Sequence, residues 1–157
     1  SSDKDLFQLV GDNVRMVSVA GEPKKMGEEE VRDKTGVLPD LIIPWLALVG
    51  DSADNIGGVP GIGPKTASKL LNGCGSLEAL LADIDSVERE KIRESLRANV
   101  EIVKRNISVV TLRKDLKIPF GWDDIECVKP DVGKMLPFLE DLEFDAMVKD
   151  LREPELF

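Results

Sequence analysis

Residues 46–67 have the sequence LALVGDSADNIGGVPGIGPKTA, and this stretch decides the predicted fold. An apolar run leads into residues 51–63, whose last seven positions hold five glycines or prolines. A proline follows at residue 64, and proline is favoured at the first position of a helix. The stretch therefore predicts a helix, a tight glycine-rich hairpin and a second helix.

The second half of this stretch carries the pattern of a phosphate-binding loop. Gly61 and Gly63 let the backbone approach a phosphate closely, and their amides are free to donate to its oxygens. Lys65 adds a positive charge, Thr66 a hydroxyl, and Lys69 lies one turn further along the same helix face. Such contacts reach the DNA backbone and not the base edges, so they predict sequence-independent binding. The open alternative is a sharp turn between two packed helices.

Two pairs of aspartates are candidate metal ligands. Asp51 and Asp54 lie three residues apart, which places them on one face of a predicted helical turn. Asp3 and Asp5 form the second pair near the start of the chain. Carboxylates are hard ligands that suit Mg²⁺ or Mn²⁺, and two such ions can activate a water and stabilise the leaving oxygen of a phosphodiester. The alternative for Asp51 and Asp54 is a helix cap and a solvated side chain.

Composition limits the classes of function. The chain has 157 residues, 42% of them hydrophobic, which suffices for one domain with a core. Its 21 basic and 30 acidic residues give a net charge of −9, so any contact with DNA is expected to be local. No apolar run approaches the length of a membrane span, and the opening residues are not expected to act as a secretory leader. Cys74 and Cys127 are expected to be reduced thiols, and the cytoplasm is the expected compartment.

The remaining patterns predict a mainly α fold with a small β component. A strand is expected at residues 14–20, after a helical turn at 5–10 and before a turn at 21–23. Helices are predicted at residues 28–35, 39–49, 76–82, 85–110, 131–142 and 145–151, with an irregular segment at 117–128. Asp85 and Glu88 resemble a capping box that begins one of these helices, Asn99 is a point where it divides, and Pro44 is a candidate kink. Trp45 and Trp122 are interpreted as packing residues.

The order of these motifs resembles the 5′-nuclease domain found in bacterial DNA polymerase I, a relative of the flap endonucleases. The likeness is carried by SDKDL at residues 2–6, by residues 46–67, by GSLEALL at 75–81 and by FLEDLEF at 138–144. It covers essentially the whole chain and implies the C-terminal part of the α/β 5′-nuclease fold. Residues 1–37 would be a remnant of the α/β core and residues 38–157 the helical C-terminal subdomain, with a helix-hairpin-helix at about residues 50–71.

The resemblance also implies roles for particular residues. In that family the matching aspartates belong to a divalent-metal centre that cleaves phosphodiesters at 5′ ends and flaps; here they are Asp3, Asp5, Asp51 and Asp54. The family's hairpin binds duplex DNA and in several members holds K⁺ through backbone carbonyls, which would come here from Gly58, Val59 and Ile62. The implied partners are duplex and 5′-flap DNA and a covalently attached polymerase domain, with a role in DNA replication and repair.

Ser1 is not methionine, and Asp3 follows it without the apolar strand that usually precedes such a ligand. The natural chain is therefore expected to begin further upstream. The family's other acidic ligands, its basic residues near the scissile phosphate and its arch lie in an N-terminal half that has no counterpart here. This chain alone is expected to be inactive or nearly so. Two alternatives stay open: a non-catalytic helix-hairpin-helix module that binds DNA, and an acidic interaction domain.

Overall fold

The computed structural model describes residue 1 and residues 3–18, 24–125 and 131–152. The described chain is mainly helical with a small β component, as predicted, and divides into two compact units, Ser1–Lys114 and Asp115–Phe157. Residues 1–37 belong to the first unit together with the helices that follow. The assignment of residues 1–37 to the α/β core of the nuclease fold, and of residues 38–157 to its helical subdomain, stays a prediction. No helix among the described residues is long and apolar enough to cross a membrane.

The first unit opens with the predicted helical turn, a 3₁₀ helix at Lys4–Leu9. Strand β1 (Met16–Ser18) then pairs antiparallel with β2 (Lys24–Met26), which confirms the predicted strand over its described part. Residues 19–23, including the predicted turn, lie outside the described residues. Helix α1 (Glu28–Thr35) ends at Gly36, whose φ of 82° gives the left-handed cap that glycine favours.

The helix predicted to begin at Pro39 divides in two. Pro39–Leu41 forms a 3₁₀ turn, and α2 (Ile42–Val49) begins only after it, because Leu41 leaves the helical region with φ −101° and ψ 5°. Pro44 occupies the third position of α2, where a backbone N–H has no acceptor within the helix. Its ring therefore breaks no hydrogen bond of α2, and Pro44 is tolerated there.

A short ribbon follows α2. Strand β3 (Gly50–Asp51) pairs antiparallel with β4 (Ile56–Gly57), with Gly50 opposite Gly57. Immediately beyond β4, Gly58 crosses the end of α2 so closely that a Cβ atom on Gly58 would lie 2.2 Å from the carbonyl oxygen of Val49. Only glycine fits this crossing without a shift of the backbone.

The end of α2 is held by groups from elsewhere in the unit. A helix leaves its last carbonyls without intrahelical donors. The carbonyl of Leu48 accepts from the amide of Val59 at 2.8 Å. The side chain of Asn106, which is fully buried, donates from Nδ2 to the carbonyls of Ala47 at 3.0 Å and Gly57 at 2.7 Å. Asn106 thus joins α2 to the ribbon.

The helices after the ribbon follow the predicted order. Helix α3 (Pro64–Cys74) begins at its proline, and α4 (Leu77–Ala82) is capped by the Ser76 hydroxyl, which accepts from the amide of Ala79 at 3.0 Å. Asn99 divides the long stripe into α5 (Glu90–Ala98) and α6 (Val100–Val110), as predicted.

The prediction that Asp85 begins a helix is wrong. Ile84–Ser86 is a 3₁₀ turn, and Arg89 occupies the N-cap position of α5 without a side-chain cap. The carboxylate of Asp85 instead forms an ion pair with the guanidinium of Arg97. This tertiary contact competes with the local cap, which explains why the capping-box pattern was misleading.

The core of the first unit is built around α2, which packs against α3 and α6. The Trp45 side chain is 7% exposed, and its Nε1 donates to the carbonyl of Pro64 and to the hydroxyl of Ser68, both at 3.2 Å. Trp45 is therefore a packing residue, as predicted. Cys74 is a half-buried free thiol. Cys127 and the Trp122 side chain lie outside the described part.

The second unit contains the two predicted C-terminal helices. Residues 115–125 are irregular apart from a 3₁₀ turn at Trp122–Asp124, which confirms the predicted loop over its described part. Helix α7 (Val132–Asp141) begins at Asp131, whose carboxylate accepts from the amide of Lys134 at 3.2 Å. Helix α8 (Asp145–Arg152) follows and packs against α7.

The backbone crossing at Gly58 predicts a position-specific effect on stability. Gly58→Ala should lower the free energy of unfolding by about 3 kcal/mol or more, because the new methyl group meets backbone atoms of α2 that cannot move independently. The neighbouring Gly57→Ala is the matched control: its Cβ would meet nothing within 4 Å. That variant should stay within about 0.5 kcal/mol of the parent chain. Urea unfolding measures both, and equal stabilities for the two variants would refute the crossing.

Candidate metal centre and nucleic-acid interface

The Asp51–Asp54 pair lies on the ribbon and not on a helix. Asp51 ends β3, and Asp54 lies in the turn at residues 52–55 that leads to β4. The predicted helical turn is wrong, because the backbone pairs as a hairpin and Asn55 has a φ of 57°. The Oδ1 atom of Asp51 accepts from the amide of Ala53 at 3.0 Å, which closes the turn locally.

The ribbon nevertheless brings the carboxylates together with Asp5. One carboxylate oxygen from each of Asp5, Asp51 and Asp54 lies within 4.8 Å of the other two. Asp51 is 4% exposed, Asp5 is half-buried and Asp54 is exposed, so the group opens to solvent on the side of Asp54. Three hard oxygen ligands converge here from two separate segments of the chain.

The 3₁₀ helix that carries Asp5 is fastened to the end of α6. The side chain of Gln8, which is 8% exposed, donates from Nε2 to the carbonyl of Val110 at 2.9 Å. Its Oε1 accepts from the amide of Leu112 at 3.0 Å. These two bonds position the 3₁₀ helix, and Asp5 with it, against the helical core.

Asp3 lies next to this group but outside it. Its Oδ1 accepts from the amide of Asp5 at 3.0 Å and so caps the 3₁₀ helix. The structure therefore brings three of the four candidate ligands into mutual contact distance and places Asp3 beside them.

The clustering of negative charge is visible in the pKa of Asp5. Burial is the largest influence that raises the pKa of this carboxyl, and the charges of Asp3, Asp51 and Asp54 raise it further. Lys4 opposes them without cancelling them. A cation bound among these oxygens would remove the repulsion that adds to the effect of burial on this pKa.

Asp51 shows the opposite shift. Burial raises its pKa, but hydrogen bonds from Lys4 and from the amide of Ala53, together with the charge of Lys4, hold the pKa below the ordinary value. The ammonium of Lys4 lies 2.8 Å from Oδ1 of Asp51. Sequence reasoning missed Lys4, although its position between Asp3 and Asp5 was a signal.

The donor set fits a divalent cation. Oδ1 of Asp5 is buried and, among the described residues, has no hydrogen-bond partner. A buried charged oxygen without a partner is costly unless a proton or a cation satisfies it. Carboxylate oxygens suit Mg²⁺ and Mn²⁺, so Asp5, Asp51 and Asp54 could hold such an ion.

The loop between the ribbon and α3 exposes backbone donors. Gly61 has a φ of 82°, a left-handed conformation that glycine adopts without strain, and Gly63 occupies the N-cap position of α3. The amides of Gly61, Gly63 and Lys65 donate to no acceptor in the described part of the chain. These free N–H groups lie at the amino end of an eleven-residue helix, where the helix dipole favours anions.

Basic side chains border a groove beside this helix. The groove has a volume of about 510 Å³ and is lined on one side by Lys65, Thr66 and Lys69 of α3. Its other wall includes Arg89, at the start of α5, which sequence reasoning did not single out. Lys65, Lys69 and Arg89 have no ion-pair partner within the described ranges. The three cations are therefore available to a polyanion.

The carbonyls considered for K⁺ lie in the same loop. The carbonyl of Val59 accepts from the amide of Ile62 at 3.0 Å. A second lone pair of this carbonyl oxygen remains for an ion. The side chains of Val59 and Ile62 are buried, and Gly58 is half-buried. An ion site formed by these three carbonyls stays a prediction.

Comparison with known proteins identifies the family. The sequence model of the 5′-3′ exonuclease C-terminal SAM fold matches residues 37–133. The chain belongs to this 5′-3′ exonuclease family. It is 37% identical over 153 residues to DNA polymerase I of Rhizobium leguminosarum, covering 98% of this chain and 15% of that protein. It is 36% identical over 151 residues to the 5′-3′ exonuclease of Aquifex aeolicus (strain VF5), covering 96% of this chain and 50% of that protein.

Solved structures agree with this assignment. The T5 5′-exonuclease with divalent metal ions (zinc) bound superposes with a TM-score of 0.64 and 26% identity, over 70% of this chain and 41% of that chain. A point mutant of the T5 5′-exonuclease gives a TM-score of 0.63 and 26% identity, over 70% of this chain and 45% of that chain. The chain thus spans about half the length, or less, of these relatives.

The raised pKa of Asp5 predicts a gain in stability when its charge is removed. A carboxyl whose pKa is higher in the folded chain favours folding only while protonated, and that contribution is lost as pH rises through the raised pKa. In EDTA at neutral pH, Asp5→Asn should therefore raise the melting temperature.

The exposed Asp12 provides the control, because Asp12→Asn removes the same charge outside the cluster. Its melting temperature should match that of the parent chain. The gain of Asp5→Asn should also shrink below the ordinary pKa range of aspartate, where the parent carboxyl is protonated as well. A melting temperature for Asp5→Asn at or below the parent value at neutral pH would contradict the repulsion.

Proposed function

We propose that this chain provides sequence-independent DNA binding and part of the metal centre of a 5′-to-3′ exonuclease and structure-specific 5′-flap endonuclease. The observation that carries the proposal is that carboxylate oxygens of Asp5, on the 3₁₀ helix, and of Asp51 and Asp54, on the ribbon, lie within 4.8 Å of one another. The ribbon leads directly into the loop before α3. Its substrates are duplex and 5′-flap DNA in replication and repair. In a DNA polymerase I, a polymerase domain would be covalently attached.

The carboxylates of this chain would form part of the metal centre. Asp5, Asp51 and Asp54, with Asp3 beside them, would hold Mg²⁺ or Mn²⁺. Bound in a pair, such ions supply an activated water and stabilise the leaving oxygen. The ribbon fixes the direction of Asp51, and the 3₁₀ helix fixes that of Asp5. Further acidic and basic groups are needed to orient the attack, so this chain alone is expected to be inactive.

The loop and α3 would position the duplex. The amides of Gly61 and Gly63, the ammonium groups of Lys65 and Lys69 and the hydroxyl of Thr66 form a surface that suits phosphate oxygens. A K⁺ ion held by the carbonyls of the loop would add a fixed positive charge on the same surface. Because the loop follows the ribbon directly in the chain, we expect a strand held there to approach the carboxylates.

The alternative is a helix-hairpin-helix module that binds DNA without catalysis. It gives no role to the buried oxygen of Asp5, which has no hydrogen-bond partner among the described residues. A buried charged oxygen of this kind lowers stability unless a ligand compensates it. This oxygen favours the nuclease over the non-catalytic module.

DNA binding by the chain should be weak, salt-dependent and insensitive to sequence. Lys65→Glu should lower the affinity about tenfold on every duplex and reduce the slope of log affinity against log salt by about 1. Lys104→Glu, at an exposed position on α6, changes the net charge equally and should have a much smaller effect. Fluorescence anisotropy with two unrelated duplexes measures both. Equal losses for the two variants would show that the loop is not the contact.

Catalysis should require the complete nuclease. On a labelled 5′-flap substrate with Mg²⁺, this chain alone should stay near background, and addition of the N-terminal half should restore cleavage. Asp54→Ala in the completed protein should lower the rate at least about 100-fold, the usual cost of losing one contact to developing charge. Robust metal-dependent cleavage by this chain alone, or full activity of Asp54→Ala, would refute the proposed centre.

A further inference from the structure

Lys4 forms an ion pair inside the carboxylate group. Its Nζ lies 2.8 Å from Oδ1 of Asp51, a carboxylate that is 4% exposed, whereas 40% of the Lys4 side chain remains exposed. The same Oδ1 also accepts from the amide of Ala53. One oxygen of Asp51 is thus engaged twice within the chain, by a charged donor and by a neutral one.

The charge of Lys4 lies next to the carboxylates of Asp5 and Asp51. Lys4 precedes Asp5 in the 3₁₀ helix, so one short segment supplies both a carboxylate and an ammonium to the group. Among the described residues, Lys4 is the cation that forms an ion pair with Asp5, Asp51 or Asp54. Three carboxylates and one ammonium leave a net charge of −2 when all are ionised. A divalent cation would balance this charge, but it would lie beside an ammonium.

We propose that Lys4 is an intramolecular counterion of Asp51 that competes with divalent metal for this carboxylate. Its ammonium leaves Oδ1 of Asp51 when metal binds. The inference rests on the proposed metal centre and adds a residue that sets its affinity. In the metal-free chain, the ion pair keeps Asp51 ionised and directed towards Asp5. A metal bound to Asp51 must displace the ammonium or accept its repulsion, and displacement is easy because Lys4 has a long flexible side chain that already reaches solvent.

The effect of Lys4 on metal affinity distinguishes the proposed competition from a role in folding alone. Lys4 is the only cation paired with Asp51 among the described residues. Its loss should make the buried charge of Asp51 less favourable, so Lys4→Met should lower the melting temperature in EDTA. The same change should strengthen metal binding, because the competing charge is gone. A lysine that acts only in folding would lower the melting temperature and leave metal affinity unchanged.

Isothermal titration with Mn²⁺ tests the competition directly. Lys4→Met should lower the dissociation constant about tenfold, the order expected when one charge a few ångströms from the ion is removed near the surface. Lys4→Arg keeps the charge and should stay within about threefold of the parent chain. Lys25→Met, at an exposed position of β2, removes an equal charge elsewhere and should change the constant less than about twofold.

The outcomes distinguish the inference from the proposed function. Equal Mn²⁺ affinity in the parent chain and in a folded Lys4→Met overturns the role of Lys4 but leaves the metal centre intact. Failure of the folded parent chain and of Lys4→Met to bind Mn²⁺ overturns the centre, and the role of Lys4 falls with it.

A measurement on the parent chain covers the case in which Lys4→Met does not fold. In ¹⁵N-labelled protein, the ammonium of Lys4 should give a protected Nζ signal without metal, because it is held by Asp51. Addition of Mg²⁺ should release it and broaden that signal through exchange with water. A protected signal that persists at saturating Mg²⁺ would overturn the displacement.

Discussion

The close crossing of the backbone at Val49 and Gly58 is the constraint on which the rest of the site depends. It holds the ribbon against the end of α2 at a distance that no side chain on Gly58 allows. Asn106 and the amide of Val59 then satisfy the last carbonyls of α2. The ribbon held by this crossing carries the buried Asp51 and leads directly into the loop before α3. The proposed metal ligand Asp51 and the proposed phosphate-binding loop thus lie on either side of this crossing in the chain.

The clustered negative charge around Asp5 lowers the stability of the folded chain. Asp5 keeps a raised pKa and a buried oxygen without a hydrogen-bond partner in the described structure, while Asp51 depends on Lys4. The presence of these groups is understandable if a cation completes the arrangement, because functional sites retain interactions that stability alone would remove. The charge of Asp5, which is unfavourable in the free chain, would then become favourable with the cation bound.

The sequence predicted what depends on local chemistry and missed what depends on distant partners. Pro64, Ser76 and Gly36 mark helix ends by their own backbone and capping preferences, and each was placed correctly. The conformation around Asp51 was not predictable from its spacing to Asp54, because pairing of β3 with β4 overrides the helical preference of a short polar segment. Contacts across the sequence, such as that between Asp85 and Arg97, likewise have no local signal.

In the proposed centre, the ribbon and the 3₁₀ helix together build a divalent-metal site. Anomalous diffraction from crystals of this chain soaked in Mn²⁺ tests it most directly, because the map locates the ion without reference to activity. A peak should lie among the carboxylate oxygens of Asp5, Asp51 and Asp54, at roughly 2.0–2.3 Å from its ligands. Mn²⁺ peaks elsewhere on the chain, with none among these three carboxylates at saturating concentration, would contradict the account.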